Sequence, residues 1–162
     1  MGKSVVADAG PLIAFGRIEK LELLPQVLGE VLVPHAVAAE CLADPDKPGA
    51  RAIREAFRAR QLVETPDPVP VLPTLPVLGA GESAAIRLAL RLSASVLMDE
   101  KAGWRIATNL GLSVIGSAGV LLAAKKRGLI ESVQPMLEAL AGNGYHFSAA
   151  LVRAILSRAG ER

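Results

Sequence analysis

Short apolar runs recur along the chain without polar alternation, and segments with helical spacing separate them. Four such runs, residues 4–7, 30–33, 95–98 and 112–115, have the pattern of buried strands of a parallel sheet, and residues 62–64 could add an edge strand. Because strands and helices alternate, we predict an α/β fold in which helices cover both faces of a mainly parallel sheet.

Proline, glycine and apolar spacing mark the helices between these strands. Short helices are expected to open at Gly10 and to pass through residues 21–27, and residues 79–83 begin another. Further helices are predicted at 35–42, 50–60, 101–109, 120–127, 133–141 and 148–159. We expect one domain over residues 1–162, with a proline-rich connector at about 65–78 and C-terminal helices at about 131–160.

Composition supports this fold class and says less about function. Of 162 residues 51% are hydrophobic but 3% aromatic, so the core must be largely aliphatic, which favours α/β over an all-β fold. Cys41 is the single cysteine and is expected to be a buried thiol of a protein from a reducing cytoplasm. We expect no membrane segment. The net charge of +2 is too small to indicate a nucleic-acid partner.

Four acidic residues stand in apolar surroundings, unlike most of the 16 in the chain. Asp8 and Asp99 follow strand-like runs, and Glu40 and Glu82 lie in predicted helices. A buried carboxylate is costly without a cation, a donor or a proton, and an oxygen-only set of ligands favours Mg²⁺ or Mn²⁺. The alternative is structural, with the acids capping helices or pairing with the helix dipole.

The order of several short motifs resembles the PIN-domain family, and more narrowly a prokaryotic PIN-like branch. The motifs are Asp8-Ala-Gly-Pro-Leu-Ile, Val33-Pro-His-Ala-Val-Ala-Ala-Glu40, Leu78-Gly-Ala-Gly-Glu82-Ser-Ala-Ala-Ile, Leu97-Met-Asp99-Glu100-Lys101 and Gly116-Ser117-Ala-Gly119-Val-Leu-Leu-Ala-Ala-Lys125. The resemblance covers residues 4 to 140. It implies a three-layer α/β/α sandwich and a metal-dependent endoribonuclease acting on single-stranded RNA, often the toxin of a toxin–antitoxin pair.

By position, the resemblance assigns Asp8, Glu40, Glu82 and Asp99 as catalytic acids that bind Mg²⁺ or Mn²⁺. Ser117 would be an accessory ligand near the metal, and Glu100 is a further candidate. The implied partners are single-stranded RNA, a cognate antitoxin and a second copy of the chain in a homodimer.

Two departures from the family pattern keep another reading open. Gly10 stands where the family commonly has Ser or Thr, and Trp104 stands where the branch usually has arginine. Trp104 is either a packing residue or a surface on which an unpaired base stacks. The alternative function is a weak or inactive PIN-like module that binds nucleic acid or protein. A third and weaker alternative is a receiver-like or phosphatase-like protein. Such a protein usually has a lysine on a late strand beside the acids, whereas the first lysine after residues 112–115 is Lys125, a full helix further along the chain.

Overall fold

The computed structural model describes residues 4–68 and 78–162, and in them five parallel strands form one sheet in the order β3-β2-β1-β4-β5. The strands are β1 (Ser4–Ala7), β2 (Glu30–Pro34), β3 (Val63–Thr65), β4 (Ser95–Leu97) and β5 (Val114–Ile115). The helices are α1 (Ala9–Arg17), α2 (Leu23–Leu28), α3 (His35–Leu42), α4 (Ala50–Arg58), α5 (Ala80–Leu92), α6 (Lys101–Asn109), α7 (Ser117–Lys126), α8 (Gln134–Gly142) and α9 (Ala149–Arg158). Most of the predicted connector, residues 69–77, lies outside the described residues.

The centre of the sheet is buried on both faces. Val6, Ala7, Val33, Val96 and Leu97 are completely inaccessible to solvent. Because neighbouring residues of a strand point to opposite faces, this burial requires helices on both sides of the sheet. Helix α5 packs on β1, β2 and β4, and α2 packs on β2. The α/β fold with a parallel sheet is therefore confirmed.

The prediction for residues 112–115 was wrong in extent and in burial. Strand β5 contains two residues, both half-buried, and pairs with β4 at the edge of the sheet. Leu112 is not in the strand because its N–H donates to the carbonyl of Ala107 at 3.0 Å and closes the turn after α6. The next helix begins at Ser117 rather than at residue 120.

Several other predictions can be compared with the packing. Cys41 is buried, and burial raises the pKa of its thiol to about 12, as expected of a structural cysteine. In the two C-terminal helices, Leu137, Leu140 and Ile155 are in the core, whereas Leu151 is 42% exposed. Within residues 4–68 and 78–162, no helix has the length and apolar character needed to cross a membrane.

Glu161 joins the end of the chain to two other elements. Its Oε2 accepts hydrogen bonds from Lys125 Nζ and from the N–H of Val133, both at 2.8 Å, and its Oε1 accepts one from the N–H of Gln134 at 3.0 Å. The carboxylate thus caps the start of α8 and forms an ion pair with α7. The hydrogen bonds from Lys125 and from these amides lower the pKa of Glu161 to about 2.

We predict that Glu161→Gln lowers the melting temperature at pH 6 and that this difference disappears toward pH 2. The folded-state pKa is lower than the ordinary 4.5, so the contribution is present above pH 4.5 and is lost as pH falls through about 2. Thermal unfolding followed by circular dichroism measures it. Glu138→Ala, which changes an exposed acid on α8, is the control and should show a smaller effect. An equal loss at pH 2 and pH 6 would contradict the assignment.

Candidate metal centre

Asp8 and Asp99 lie side by side at the carboxyl edge of the sheet because β1 and β4 are neighbours that end together. Ala7 is in register with Leu97, and the N–H of Asp8 donates to the carbonyl of Leu97 at 2.9 Å. Asp8 is 6% exposed. Burial, together with the negative charges of Glu40, Glu100 and Asp99, raises its pKa to about 6.

Ser117 holds the carboxylate of Asp99 in place. The N–H of Ser117 donates to Asp99 Oδ1 at 2.8 Å, and its hydroxyl donates to Asp99 Oδ2 at 2.6 Å. Strand β5 delivers this serine, because Met98 pairs with the carbonyl of Ile115 two residues before it. Ser117 is fully buried. It therefore contacts one of the predicted ligands directly.

The sequence analysis missed Tyr145, whose hydroxyl also donates a hydrogen bond to Asp99 Oδ2. Burial and the charge of Asp99 raise the pKa of this tyrosine, so the phenol keeps its proton. The tyrosine comes from the link between α8 and α9, outside the motifs that carried the resemblance. Gly10 lies next to it, since a Cβ there would be in ordinary contact with the tyrosine hydroxyl at 3.5 Å. The one sequence signal was that Tyr145 is the only tyrosine in the chain.

Glu82 and Glu100 form the second part of the site, and their pKa values shift in opposite directions. Glu100 Oε1 accepts from the N–H of Ala102 at 3.1 Å, and Oε2 accepts from that of Gly103 at 2.9 Å, so Glu100 caps α6. These bonds lower its pKa. Burial and the neighbouring Glu100 raise the pKa of Glu82 to about 7. Glu82 Oε2 is buried without a hydrogen-bond partner in the described part of the chain.

Glu40 reaches the same region from α3, which packs against α5. A Cβ on Gly81 would lie 2.8 Å from Glu40 Oε1, so the carboxyl group of Glu40 occupies the space that a side chain would fill. Its charge is one of those that raise the pKa of Asp8. The residue itself is exposed, so the expected burial of this acid was wrong. The helix around it turns its apolar face, Val37 and Cys41, into the core instead.

The carboxylate oxygens of this cluster suit a hard divalent cation, although they do not form a complete set of protein ligands. Across residues 4–68 and 78–162, no three His, Cys, Asp or Glu side chains are close enough together to hold an ion. Mg²⁺ is usually held by one or two carboxylates and several waters, so a full set of protein ligands is not needed. Burial, followed by the neighbouring carboxylates, raises the pKa of Asp8, and Glu82 Oε2 is buried without a hydrogen-bond partner among the described residues. A bound cation would offset both costs.

The two histidines play no part in this cluster. His35 is exposed at the start of α3, where its ring contacts the carboxylate of Glu64. His146 is exposed in the link that also carries Tyr145. Both histidines therefore lie at the surface.

Comparison with known proteins agrees with this fold. The model of the DUF3368 family, described as a PIN domain, matches residues 4–161, and the chain therefore belongs to the PIN-domain family. Among solved structures, the chain is similar to a PilT N-terminus domain protein, SSO1118, from the hyperthermophilic archaeon Sulfolobus solfataricus P2. The TM-score is 0.52 at 17% identity, over 90% of this chain and 97% of that one. That likeness concerns the fold. None of the curated proteins matches.

We predict that Asp8→Asn stabilises the metal-free protein at pH 7 by about 2 to 3 kcal/mol. The folded-state pKa is about 6 against an ordinary 3.8, so the folded protein binds the extra proton and wild-type stability falls as pH rises from about 4 to about 6. Asparagine does not ionise, and the gain should therefore vanish near pH 4.

Urea unfolding in EDTA at pH 4 and pH 7 measures this difference. Asp46→Asn, a change of an exposed loop acid, is the matched control and should stay within about 0.5 kcal/mol of wild type at both values. If Asp8→Asn destabilises the protein equally at both pH values, the carboxyl group is not electrostatically strained.

Proposed function

We propose that this protein is a Mg²⁺- or Mn²⁺-dependent endoribonuclease that cleaves single-stranded RNA. The observation that carries the proposal is the pair Asp8 and Asp99 at the ends of adjacent strands, with Glu82, Glu100 and Glu40 around them. Membership of the PIN-domain family, which typically includes metal-dependent nucleases, supports it. Carboxylates concentrated at the carboxyl edge of a parallel sheet stand where α/β proteins bind ligands.

Asp8 and Asp99 would be the principal ligands of the ion, with Glu82 and Glu40 next to them. A bound divalent ion supplies Lewis-acid stabilisation of the phosphodiester and a water of lowered pKa. Ser117 and Tyr145 hold the Asp99 carboxylate in one orientation through the hydrogen bonds described above. The carboxylate oxygens of Glu100 already accept hydrogen bonds from the backbone amides of α6. Glu100 is therefore suited to fixing that helix rather than to binding the metal directly.

Asp99→Asn tests the proposal with little disturbance of the fold. Asparagine keeps an oxygen for the N–H of Ser117, and the hydroxyls of Ser117 and Tyr145 can rotate to accept from the new amide. We expect wild type to bind Mn²⁺ in isothermal titration and to cleave a generic single-stranded RNA only with metal. The variant should lose at least tenfold in Mn²⁺ affinity and cleave at background rate. Cleavage by the variant at the wild-type rate would overturn the proposal.

One observation favours a second candidate, a PIN-like module that binds RNA or protein without cutting. Both carboxylate oxygens of Asp99 already accept hydrogen bonds from Ser117 and Tyr145, and a metal would have to share them. Metal-independent RNA binding, without cleavage at any Mn²⁺ concentration, would support this candidate. Metal-dependent cleavage would exclude it.

Gly81→Ala gives a separate test of Glu40. The new Cβ would displace Glu40 Oε1, the far end of a flexible side chain, and would be in ordinary contact with Val37 at 3.4 Å. Stability should therefore stay the same or rise by up to about 1 kcal/mol, because alanine suits a helix better than glycine. If Glu40 binds the metal, Mn²⁺ affinity should fall several-fold.

The control is Gly142→Ala at the end of α8, where a Cβ would meet none of the described residues within 4 Å. It should leave Mn²⁺ affinity unchanged. Glu40→Gln should reproduce the loss seen in Gly81→Ala. Unaltered affinity in both Gly81→Ala and Glu40→Gln would place Glu40 outside the metal site.

The role as a toxin, the cognate antitoxin, the homodimer and the cytoplasmic location stay predictions. They rest on the resemblance and on composition.

A further inference from the structure

A cavity of about 760 Å³ is lined by acidic, aromatic and aliphatic residues together. The acids are Asp8, Asp99 and Glu100, and the aromatic residues include Trp104 and Tyr145. The hydroxyl of Tyr145 donates a hydrogen bond to Asp99, so acidic and aromatic groups are mixed in this cavity. A ligand that fills it must therefore offer both a group for the carboxylates and a flat or apolar group.

Trp104 is one of the residues that line this cavity. It is 37% exposed, which is unusual for the single tryptophan of a chain with only 3% aromatic residues. By contrast, the aromatic ring of Phe15 is completely buried in the core. An indole that faces an open cavity while a phenylalanine fills the core is available to a ligand.

The indole and the metal-binding acids are separated by a single glycine. A Cβ on Gly116 would lie 3.1 Å from Trp104 Cζ3 and 3.0 Å from Asp99 Oδ1. Because Gly116 has no side chain, the ring rests against its backbone, and a ligand can touch the ring and the carboxylate together. The indole and the carboxylate are therefore close enough for neighbouring groups of one nucleotide unit to contact both.

Positive charges flank the indole on the same helix. Lys101 and Arg105 are exposed on α6, three residues before Trp104 and one residue after it. An aromatic surface with adjacent cations is the usual arrangement for binding single-stranded nucleic acid, in which the base stacks and the backbone is paired electrostatically. An apolar peptide would gain nothing from these cations or from the acids that line the same cavity.

We propose that the cavity between Trp104 and Asp99 binds one unpaired nucleobase of a single-stranded RNA, stacked on the indole. The proposal rests on the proposed function, because it places this base next to the phosphate held at the acids. Stacking on one aromatic ring is tolerant of base identity, so the pocket selects for an unstacked nucleotide and against duplex RNA.

The test uses the full chain and the intrinsic fluorescence of its only tryptophan. A uridine octamer and a fully abasic octamer with the same backbone are titrated in EDTA and again in Mn²⁺. Binding is followed by Trp104 quenching and by anisotropy of labelled strands. We expect the uridine octamer to quench the fluorescence and to bind roughly tenfold more tightly than the abasic strand.

Trp104→Ala should bind the uridine octamer roughly tenfold more weakly than wild type and the abasic strand equally well. Leu110→Ala is the matched control, because Leu110 is 42% exposed at the end of the same helix and lies outside this cavity. It should match wild type with both strands.

Equal quenching and affinity for the two strands would overturn the proposal, as would an unaltered Trp104→Ala. A concentration-dependent blue shift of Trp104 without RNA, accompanied by dimer mass in light scattering, would also overturn it by assigning the cavity to a second copy. Base-dependent quenching without RNA cleavage would reject the proposed nuclease activity and support the nucleobase pocket. RNA cleavage without base-dependent quenching would support the nuclease activity and reject the nucleobase pocket.

Discussion

The pairing of β1 with β4 is the constraint on which the site depends. Asp8 continues the ladder one residue beyond β1, since its N–H donates to the carbonyl of Leu97. The backbone of Asp8 is therefore fixed at the carboxyl edge of the sheet, where Asp99 also lies, and Asp8 is only 6% exposed. A carboxylate so placed is disfavoured by burial and by its neighbours, and its raised pKa expresses that cost. The sheet maintains a repulsive arrangement, which is a reason to look for a positively charged ligand.

Three glycines allow the carboxylates to come close together, because a side chain at any of these positions would occupy the space that they use. Gly81 leaves space for Glu40 Oε1, and Gly116 lies against Asp99 and Trp104. A Cβ on Gly103 would lie 2.8 Å from Met98 Sδ and 3.2 Å from Glu82 Oε2. None of the three needs a left-handed backbone, because positive φ values occur at other glycines of the chain. Their common property is close approach, which allows helices α5, α6 and α7 to bring polar atoms to one edge of the sheet.

Much of this architecture could be predicted because it depends on local patterns. Unalternating apolar runs located the three inner strands to within a few residues, and acids directly after two of them located the edge where the site lies. The strand at residues 112–115 was overestimated, since apolar composition does not reveal that Leu112 bonds back to α6. Tyr145 was missed for a similar reason. Its partner Asp99 is 46 residues away, and only tertiary packing brings them together.

The C-terminal region is therefore part of the site, although its helices read as a simple extension of the fold. Tyr145 contacts Asp99 and packs edge-to-face with Phe147, with ring centroids 5.7 Å apart. Arg17 donates to the carbonyl of Asn143 at 2.9 Å and so ties the same link to α1. Glu161 then fixes the far end of the chain to α7 and α8. Because Asn143 and Tyr145 lie in one short link, the contact that ties this link to α1 also restricts the hydroxyl that orients Asp99.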